Sequence, residues 1–252
     1  MRIPYMPETY AYLSQLTTQP SALWTGALNN FIRQLIIDGN WQLLDRLWIF
    51  AADNQQNARV SIVNPTSTPV TEVGSPTWTK DVGYTGNGSS MYLNTNYNPT
   101  SNGVNFVLNN ACMGIYTSGA DTLNNFNIGA WNNSSFDGLS YLNINGTNGQ
   151  YGLNLNSGGN GDAHSVGAST GLQVVTNAAS GTNAQYFNGS LISTNTAYPT
   201  ILLNADLFVF CANEYGTTDD YSNATVGMAF LGSGSINQLK LYNAWNTFLS
   251  TI

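Results

Sequence analysis

The stretch Gly83–Pro99, GYTGNGSSMYLNTNYNP, decides the class of fold that this sequence predicts. Its first half is a glycine-rich turn, in which Gly86 and Gly88 can adopt positive φ angles that are costly for residues with a Cβ atom. The run Met91–Thr95 then alternates apolar and polar residues, as a half-buried β-strand does, before an Asn/Pro turn. The stretch contains no histidine, cysteine or carboxylate. It therefore predicts a tight turn leading into a strand and offers no catalytic chemistry.

The composition indicates a globular protein with a polar but largely uncharged surface. Apolar residues make up 42% and aromatic residues 12% of the 252 residues, whereas charged residues make up only 8%. Charged residues usually account for about a quarter of a soluble domain. Asn, Gly, Thr and Ser replace them here, which favours an extracellular or particle-surface β protein over a cytosolic enzyme. A neutral-surfaced domain without a special location is the alternative.

The charge distribution argues against nucleic acids and membranes as partners. The formal net charge is −7, and four of the six Lys and Arg residues fall within the first 60 positions. Nucleic acids and anionic membrane surfaces both require clustered cations, and the sequence has no such cluster. No apolar run approaches the roughly 20 residues that a membrane-spanning helix needs. We therefore predict no nucleic-acid partner and no membrane insertion.

The two cysteines and the first residues bear on where the protein resides. Cys112 and Cys211 lie in separate apolar runs and are expected to be unpaired core thiols, with a single disulfide as the alternative. The N-terminal residues lack the basic-then-apolar pattern of a signal peptide. A surface protein without an export signal is expected to reach the outside on a particle that lysis releases.

The chain divides into three parts of what we predict to be a single domain. Residues 1–20 are expected to form an extended arm, because they carry prolines and tyrosines without a helical period. Residues 21–57 begin with apolar residues spaced by three and four, which predicts a helix capped by Ser21 or Thr18 and ended by Asp38–Asn40, and they continue into a first strand. Residues 58–252 contain the β-sandwich and a closing helix.

The third part consists of short strand-like runs between Asn/Gly/Ser/Thr turns, the pattern of an antiparallel sandwich or barrel. Asn188-Gly189 predicts a two-residue hairpin, because these residues suit the positive φ angles of a type I′ turn. An apolar stripe over Ile236–Leu249 predicts the closing helix, with Ser235 as its N-cap.

Three motifs, in order, resemble one family. Gly83–Pro99 resembles the opening strand of LamG-like and concanavalin A-like jelly rolls, AQYFNGSLI (184–192) their central hairpin, and MAFLGSGSINQLKLYNAWNTFL (228–249) a closing strand and final helix. The block VGSPTWTKDVGYTGNGSS (73–90) is similar to one in LamG-like domains of bacteriophage and prophage proteins. The resemblance covers roughly residues 21–249.

This resemblance implies a mainly β protein, an antiparallel jelly-roll sandwich with an N-terminal helical segment and a C-terminal helix. It further implies a non-enzymatic structural or adhesive component on the virion surface: a capsid decoration, head fibre, spike or tail appendage. Its partners would be other virion proteins and copies of itself, in a trimer or pentamer. The arm could dock onto a neighbour through Tyr5, Tyr10 and Tyr12; a frayed terminus is the alternative.

Glycan binding is the alternative function, because sugars stack on exposed aromatic rings and hydrogen-bond to Asn and Asp side chains. Trp131, Tyr151, Tyr215 and Tyr221 lie beside predicted turns and are the candidate stacking residues. The competing interpretation is that these side chains fill the core, as most large aromatic residues do.

A glycoside hydrolase is the third function considered, and the sequence argues against it. Such enzymes need two carboxylates at a defined separation. The family's usual Glu-x-Asp-x-x-Glu pattern is absent, and the densest acidic group, Glu214 with Asp219 and Asp220, is typical of a turn. His164 lies in a small-residue loop without a nucleophile motif around it. We predict that the protein is not an enzyme.

Calcium is the one cofactor that remains open from the sequence. Related sandwiches bind this ion through Asp, Asn and carbonyl oxygens, which are the hard ligands that it prefers. Asp219, Asp220 and Asn223 have suitable side chains, as do Asp121 and Asp137 with neighbouring asparagines. Asn-rich turns without any metal are the alternative, and no cofactor is the primary expectation.

Overall fold

The computed structural model describes residues 4–123, 125–135, 138–145, 150–157, 163–165, 170–179, 182–195 and 201–252. Within these ranges, the backbone alone is described for residues 143–145, 150–157, 163–165, 179 and 195. The helices are α1 (Pro7–Leu13), α2 (Ala22–Ile37), α3 (Gln55–Arg59), α4 (Pro99–Asn102) and α5 (Gln238–Leu249), with a 3₁₀ turn at Trp41–Leu43.

Strands make up most of the remaining regular structure. In chain order they are β1 (Leu44–Ile49), β2 (Thr71–Val73), β3 (Thr77–Thr79), β4 (Gly83–Thr85), β5 (Tyr92–Asn94), β6 (Ala111–Gly119), β7 (Phe126–Trp131), β8 (Leu139–Asn145), β9 (Gln150–Ser157), β10 (Ala163–Ser165), β11 (Gly171–Ala179), β12 (Thr182–Phe187), β13 (Ser190–Asn195), β14 (Phe208–Val209), β15 (Ala212–Glu214), β16 (Thr217–Asp219) and β17 (Thr225–Gly232).

The strands form two stacked sheets, which confirms the predicted β-sandwich. The first sheet has the order β13-β12-β11-β6-β17-β4-β3, and β1 also pairs with β17. The second has the order β10-β9-β8-β7-β14-β5-β2, with β15 and β16 attached beside β7. The described pairs of strands are antiparallel except for β15 with β7, and two isolated bridges, Phe126–Tyr221 and Tyr215–Thr217, are also parallel. The sheets face one another where β6 and β11 contact β8 and β9.

The Gly83–Pro99 stretch carries the chain from one sheet to the other. Its first residues form β4, which pairs with β17 in the first sheet, and its later residues form β5, which pairs with β14 in the second. Gly88 adopts a φ of +72°, as expected for the turn. Gly86 is required for a different reason, because a Cβ atom there would lie 2.3 Å from the carbonyl oxygen of Ser222.

The two long helices cover the outer face of the first sheet. α2 packs against α5, where the ring centroids of Phe31 and Trp245 lie 6.0 Å apart. The Trp245 ring also packs edge-to-face against Tyr116 of β6, with ring centroids 5.4 Å apart, and it stacks on Phe248 with ring centroids 5.3 Å apart. The layers therefore run from helices to first sheet to second sheet, and neither long helix lies on the outer face of the second sheet. No helix in the described ranges is long and apolar enough to cross a membrane.

The prediction of an extended arm over residues 1–20 is wrong, because residues 7–13 form α1. Tertiary contacts order this segment. The backbone N–H of Met6 and the hydroxyl of Thr9 both donate to Asn29 Oδ1 on α2, and the buried Tyr12 hydroxyl donates to the carbonyl of Asn57 at 2.9 Å. Tyr12 is therefore unavailable for docking onto a neighbour. The rings of Tyr5 and Tyr10 pack together with their centroids 5.8 Å apart, and Tyr10 remains exposed.

Several local predictions are confirmed. The Ser21 side chain caps α2 by accepting from the N–H of Trp24, and the Asn188-Gly189 hairpin has φ values of 49° and 79°. Both cysteines are buried and unpaired. The closing helix, however, is capped by Asn237 rather than Ser235, because the Asn237 side chain accepts from the N–H of Lys240.

Candidate functional site

Aromatic side chains cross the outer face of the second sheet. Ile128 and Ala130 of β7 belong to the core between the sheets, so the alternate residues Gly129 and Trp131 point outward. A bulge between Phe126 and Ile128 places Phe126 on the outer side as well. Tyr141 of β8 pairs with Gly129 and therefore shares this face. The alternation of β7 thus separates an apolar inner face from an aromatic outer face.

These outward residues form a cluster separate from the main core. The ring centroids of Phe126 and Trp131 lie 5.9 Å apart, and those of Phe126 and Tyr141 lie 4.6 Å apart, both in edge-to-face geometry. Leu139 and Ala212 complete the cluster. Trp131 is only 4% exposed, whereas Phe126 and Tyr141 are half-buried. The cluster is therefore a packed floor with two partly accessible rings.

The aromatic face continues onto two neighbouring strands. Phe208 of β14 pairs with Gly129 and so also points outward. Tyr92 of β5 stacks on Phe208, with ring centroids 4.7 Å apart and an interplanar angle of 26°. Gly129 has no side chain to separate the two groups of rings, and Tyr141 packs over it. Tyr92 is half-buried and presents the second accessible part of the face.

The β15–β16 hairpin forms a rim at one end of this face. β15 runs parallel to β7, with Glu214 opposite Trp131, and the N–H of Tyr215 donates to the Trp131 carbonyl at 3.2 Å. The Asn213 side chain holds the turn by accepting from the N–H of Gly216 at 2.9 Å. Tyr215 has a φ of 39° and is 54% exposed. The hairpin therefore presents the Tyr215 ring to solvent from a fixed turn.

Three carboxylates lie on the same hairpin and the residue after it. Burial raises the pKa of Glu214, and the nearby charges of Asp219 and Asp220 raise it further. Burial also raises the pKa of Asp220, with a smaller contribution from Asp219. The ion pairs of the described chain lie elsewhere, in Arg59–Glu72, Lys80–Asp53 and Lys240–Asp38. The rim is therefore an anionic surface of hydrogen-bond acceptors.

The structure brings three of the four predicted glycan-binding residues to this end of the sheet. Tyr215 is exposed as expected. Trp131 is buried, so the prediction that its ring stacks on a sugar is wrong, because the cluster around Phe126 covers it. Tyr221 is half-buried, and its hydroxyl donates to Thr218 Oγ1 at 2.6 Å. The backbone of Tyr151 lies in β9, and its side chain lies outside the described residues.

Sequence reasoning missed Phe126, Tyr141 and Tyr92 as members of this face. The signal that could have found them is the alternation of FNIGAW over β7, in which Phe126 and Trp131 flank a glycine. A glycine within an aromatic strand commonly marks a place where something packs closely on the sheet.

The other titratable residues that the sequence singled out have structural partners or lie outside the described chain. The Asp121 carboxylate accepts from backbone N–H groups of its own turn, at Leu123 and Asn125. The side chains of Asp137 and His164 are not among those described.

Three of the candidate calcium ligands, Asp219, Asn223 and Asp121, accept hydrogen bonds from the chain itself, and Asn223 lies beside Asp121, whose Oδ1 accepts from the N–H of Asn223 at 3.4 Å. Asp219 Oδ1 accepts from the N–H of Asp220, and Asn223 Oδ1 accepts from the N–H of Thr122. No group of three or more His, Cys, Asp or Glu side chains in the described ranges could hold a metal ion.

A cavity of about 420 Å³ lies on the opposite side of the molecule, between α2 and α5. Its floor includes Phe31 and Phe248, and amide and hydroxyl side chains such as Asn30, Gln34 and Thr247 form its walls. Both floor rings are fully packed into the core, so this groove offers a sugar no accessible aromatic face.

No protein-family model and no curated protein matches the sequence. Among solved structures, the chain is similar to domain 4 of AbnA, a GH43 extracellular arabinanase from Geobacillus stearothermophilus solved with arabinotriose (12% identity, TM-score 0.53, 80% of this chain and 97% of that one). It is also similar to the receptor-binding domain of botulinum neurotoxin C/D mosaic serotype (13% identity, TM-score 0.56, 82% of this chain and 51% of that one).

A third similar structure is a mutant of Trypanosoma rangeli sialidase that displays trans-sialidase activity (13% identity, TM-score 0.56, 89% of this chain and 39% of that one). The chain thus spans about half of the neurotoxin domain and two-fifths of the sialidase. At these identities the similarity concerns the fold, and it supports a β-sandwich of the jelly-roll kind.

Proposed function

We propose that this protein is a non-catalytic glycan-binding module whose site is the outer face of the second sheet. The observation that carries the proposal is Tyr215, an exposed ring fixed by a hairpin, at the end of an aromatic face that neither long helix covers. A sugar presents an apolar C–H face and a ring of hydroxyls. An aromatic surface bordered by a few polar groups fits both.

Each part of the face has a distinct role in this proposal. The ring of Tyr215 stacks on one sugar unit, and the half-buried Tyr92 extends the apolar contact. Glu214 and Asp219 accept hydrogen bonds from sugar hydroxyls, and ionised acceptors form the stronger kind of hydrogen bond. Trp131 positions the rim from below, because its carbonyl holds the N–H of Tyr215.

The similar structures support the proposal without assigning a ligand to this chain. The AbnA domain was solved with arabinotriose, and the neurotoxin domain is a receptor-binding domain. The low surface charge of this chain agrees with a protein that works outside a cytosol.

Glycan-array binding of Tyr215→Ala tests the site, with Tyr10→Ala as a matched control. The two tyrosines are 54% and 53% exposed, and Tyr10 lies on the helical N-terminal segment. We expect Tyr215→Ala to weaken binding about tenfold or more, because truncating an aromatic anchor of a binding site costs about 2 kcal/mol or more. We expect Tyr10→Ala to bind as the wild type does. A wild-type protein that binds no glycan would remove the proposal. Equal binding by both variants would remove the assigned site.

The absence of catalysis is part of the proposal and has its own test. We expect no release of reducing sugar from any glycan that the array identifies, even after prolonged incubation. Release that Glu214→Gln abolishes would convert the site into that of a hydrolase, since this residue is the most buried carboxylate of the rim.

We further propose the setting that the sequence resemblance predicts, which is attachment of a bacteriophage virion to a host-surface glycan. In that setting the module is displayed on the virion surface with other virion proteins, as a trimer or pentamer. Mass spectrometry of purified particles tests the location, and analytical ultracentrifugation tests the assembly. Absence of the chain from particles, or a monomer at micromolar concentration, would contradict the respective expectation.

A further inference from the structure

Four carboxamide side chains lie together on the inner face of the first sheet. Gln173 and Asn177 belong to β11, and Asn183 and Gln185 belong to the adjacent β12. Asn177 pairs with Asn183, and Gln185 pairs with Val175, which lies between Gln173 and Asn177 on the same side of β11. All four amides are 0% exposed. We call these four adjacent residues the amide patch.

Strand register places the amide patch between the two sheets. Gln173 pairs with Ile115 of β6, and paired residues share a face of the sheet. Tyr116, the next residue, contacts Trp245 of the helical layer, so Ile115 and Gln173 point the other way. The strands that face the patch are β8 and β9 of the second sheet.

Only part of the hydrogen-bonding capacity of the patch is used. Gln173 Nε2 donates to Thr117 Oγ1 at 3.1 Å, and Asn177 Nδ2 donates to the Thr182 carbonyl and Asn183 Oδ1. Five buried polar atoms make no hydrogen bond within the described chain: Gln173 Oε1, Asn177 Oδ1, Asn183 Nδ2, and both Oε1 and Nε2 of Gln185.

Five unpaired amide atoms in one interior region would be strongly destabilising. A buried polar atom without a partner loses its hydration and gains nothing in return, and native interiors contain only a few such atoms per 100 residues. The atoms include acceptors and donors, and none carries a charge. The partner that fits is a small neutral molecule that both donates and accepts.

We propose that the amide patch and the facing strands enclose a buried water site. A buried water makes about three hydrogen bonds, so about two molecules satisfy the five atoms. Both ends of the Gln185 amide are available, so this residue offers the water more hydrogen bonds than any other member of the patch. The site makes this flank of the sandwich a hydrated interface, whereas the region around Ile115 is a dry apolar core.

Two measurements on the full-length protein test the site. A wild-type crystal structure at about 1.5 Å is expected to show water within hydrogen-bond distance, about 2.7–3.2 Å, of Gln185 Oε1 and Nε2. The second measurement is the equilibrium unfolding of Gln185→Met, which keeps the length of the side chain and removes both polar atoms. Ile115→Met is the matched control, because it introduces the same side chain on the same face.

The direction of the stability change decides between a hydrated and a dry patch. A hydrated amide loses its water bonds on substitution, so Gln185→Met is expected to lower the folding constant about tenfold more than Ile115→Met. If the amide is truly unpaired, its replacement by a thioether removes the desolvation cost of two buried polar atoms. Gln185→Met would then be at least as stable as the wild type. That result, or a crystal structure in which the Gln185 amide is dry or bonded to a protein group, overturns the proposal. If Gln185→Met does not fold, the wild-type crystal structure decides.

Discussion

Asp45 fixes the loop that follows α4, and we predict that Asp45→Asn strongly destabilises the protein. The residue is 5% exposed, and its carboxylate accepts four hydrogen bonds. Oδ2 accepts from the N–H groups of Val104 (3.0 Å) and Phe106 (2.9 Å) and from the Tyr97 hydroxyl (2.7 Å), and Oδ1 accepts from the N–H of Asn105 (2.8 Å). One side chain thus pairs three successive backbone donors.

The expected loss of stability follows from the hydrogen bonds that an asparagine amide can still make at this position. With its oxygen in the position of Oδ2, the amide introduced by the substitution turns its NH₂ group toward the N–H of Asn105, and that donor loses its partner at a cost of about 1–3 kcal/mol. The other three bonds lose their charge assistance, about 1 kcal/mol each. Relief from burying a charge offsets part of this loss. We therefore expect the free energy of unfolding to fall by about 3 kcal/mol.

Thermal and urea unfolding measure this change, with Asp219→Asn as the control. Asp219 is exposed and accepts a single local bond, so its variant should stay within about 0.5 kcal/mol of the wild type. For a chain of this size, about 3 kcal/mol corresponds to a melting temperature lower by about 6–12 °C. An Asp45→Asn protein within about 1 kcal/mol of the wild type, with an unchanged m-value, would refute the view that the carboxylate anchors the loop.

Three further outcomes follow from other parts of the fold. Burial raises the pKa of both Cys112 and Cys211, so neither thiol should react with a disulfide reagent at about pH 8 until urea is added; reaction in the native state would contradict their burial. Gly114→Ala places a Cβ atom 2.1 Å from the ring of Phe230 and should cost about 1–3 kcal/mol in thermal unfolding, whereas an unchanged melting temperature would mean that the ring moves freely. The raised pKa of Asp220 means that its charge opposes folding once the pH exceeds the pKa of the unfolded chain, so Asp220→Asn should be more stable than the wild type at about pH 7, with the difference shrinking as the pH falls toward about 4; a difference independent of pH would show that the charge is not the cause.

Features specified by neighbouring residues could be predicted from the sequence. Apolar residues at spacings of three and four were enough to locate α2 and to narrow its cap to Ser21 or Thr18, of which the structure has Ser21. Asn188-Gly189 located a hairpin, because the required φ angles depend on those two residues alone. The alternation of short strands and polar turns likewise indicated an antiparallel sandwich or barrel, since one buried face per strand imposes a period of two. The resemblance to LamG-like domains favoured the sandwich.

Features that depend on distant contacts could not be predicted in this way. The segment Pro7–Leu13 has no apolar period of its own, and it becomes a helix because Tyr12 finds the carbonyl of Asn57, 45 residues away. Composition also could not separate Trp131 from Tyr215, since both are aromatic residues beside glycine or asparagine turns. The cluster around Phe126 buries the first, and the turn between β15 and β16 presents the second to solvent.

Local chemistry therefore determined the mainly β class, the first long helix and the central hairpin, because turn geometry and hydrophobic period act over a few residues. The choice of Ser21 over Thr18 as the cap and the absence of a bond between Cys112 and Cys211 came from the tertiary structure. The assignment of each aromatic ring to the interior or to the binding face, the passage of Gly83–Pro99 between the sheets and the burial of four amides came from packing. These depend on which strands meet, and that outcome rests on the summed burial of residues far apart in the chain.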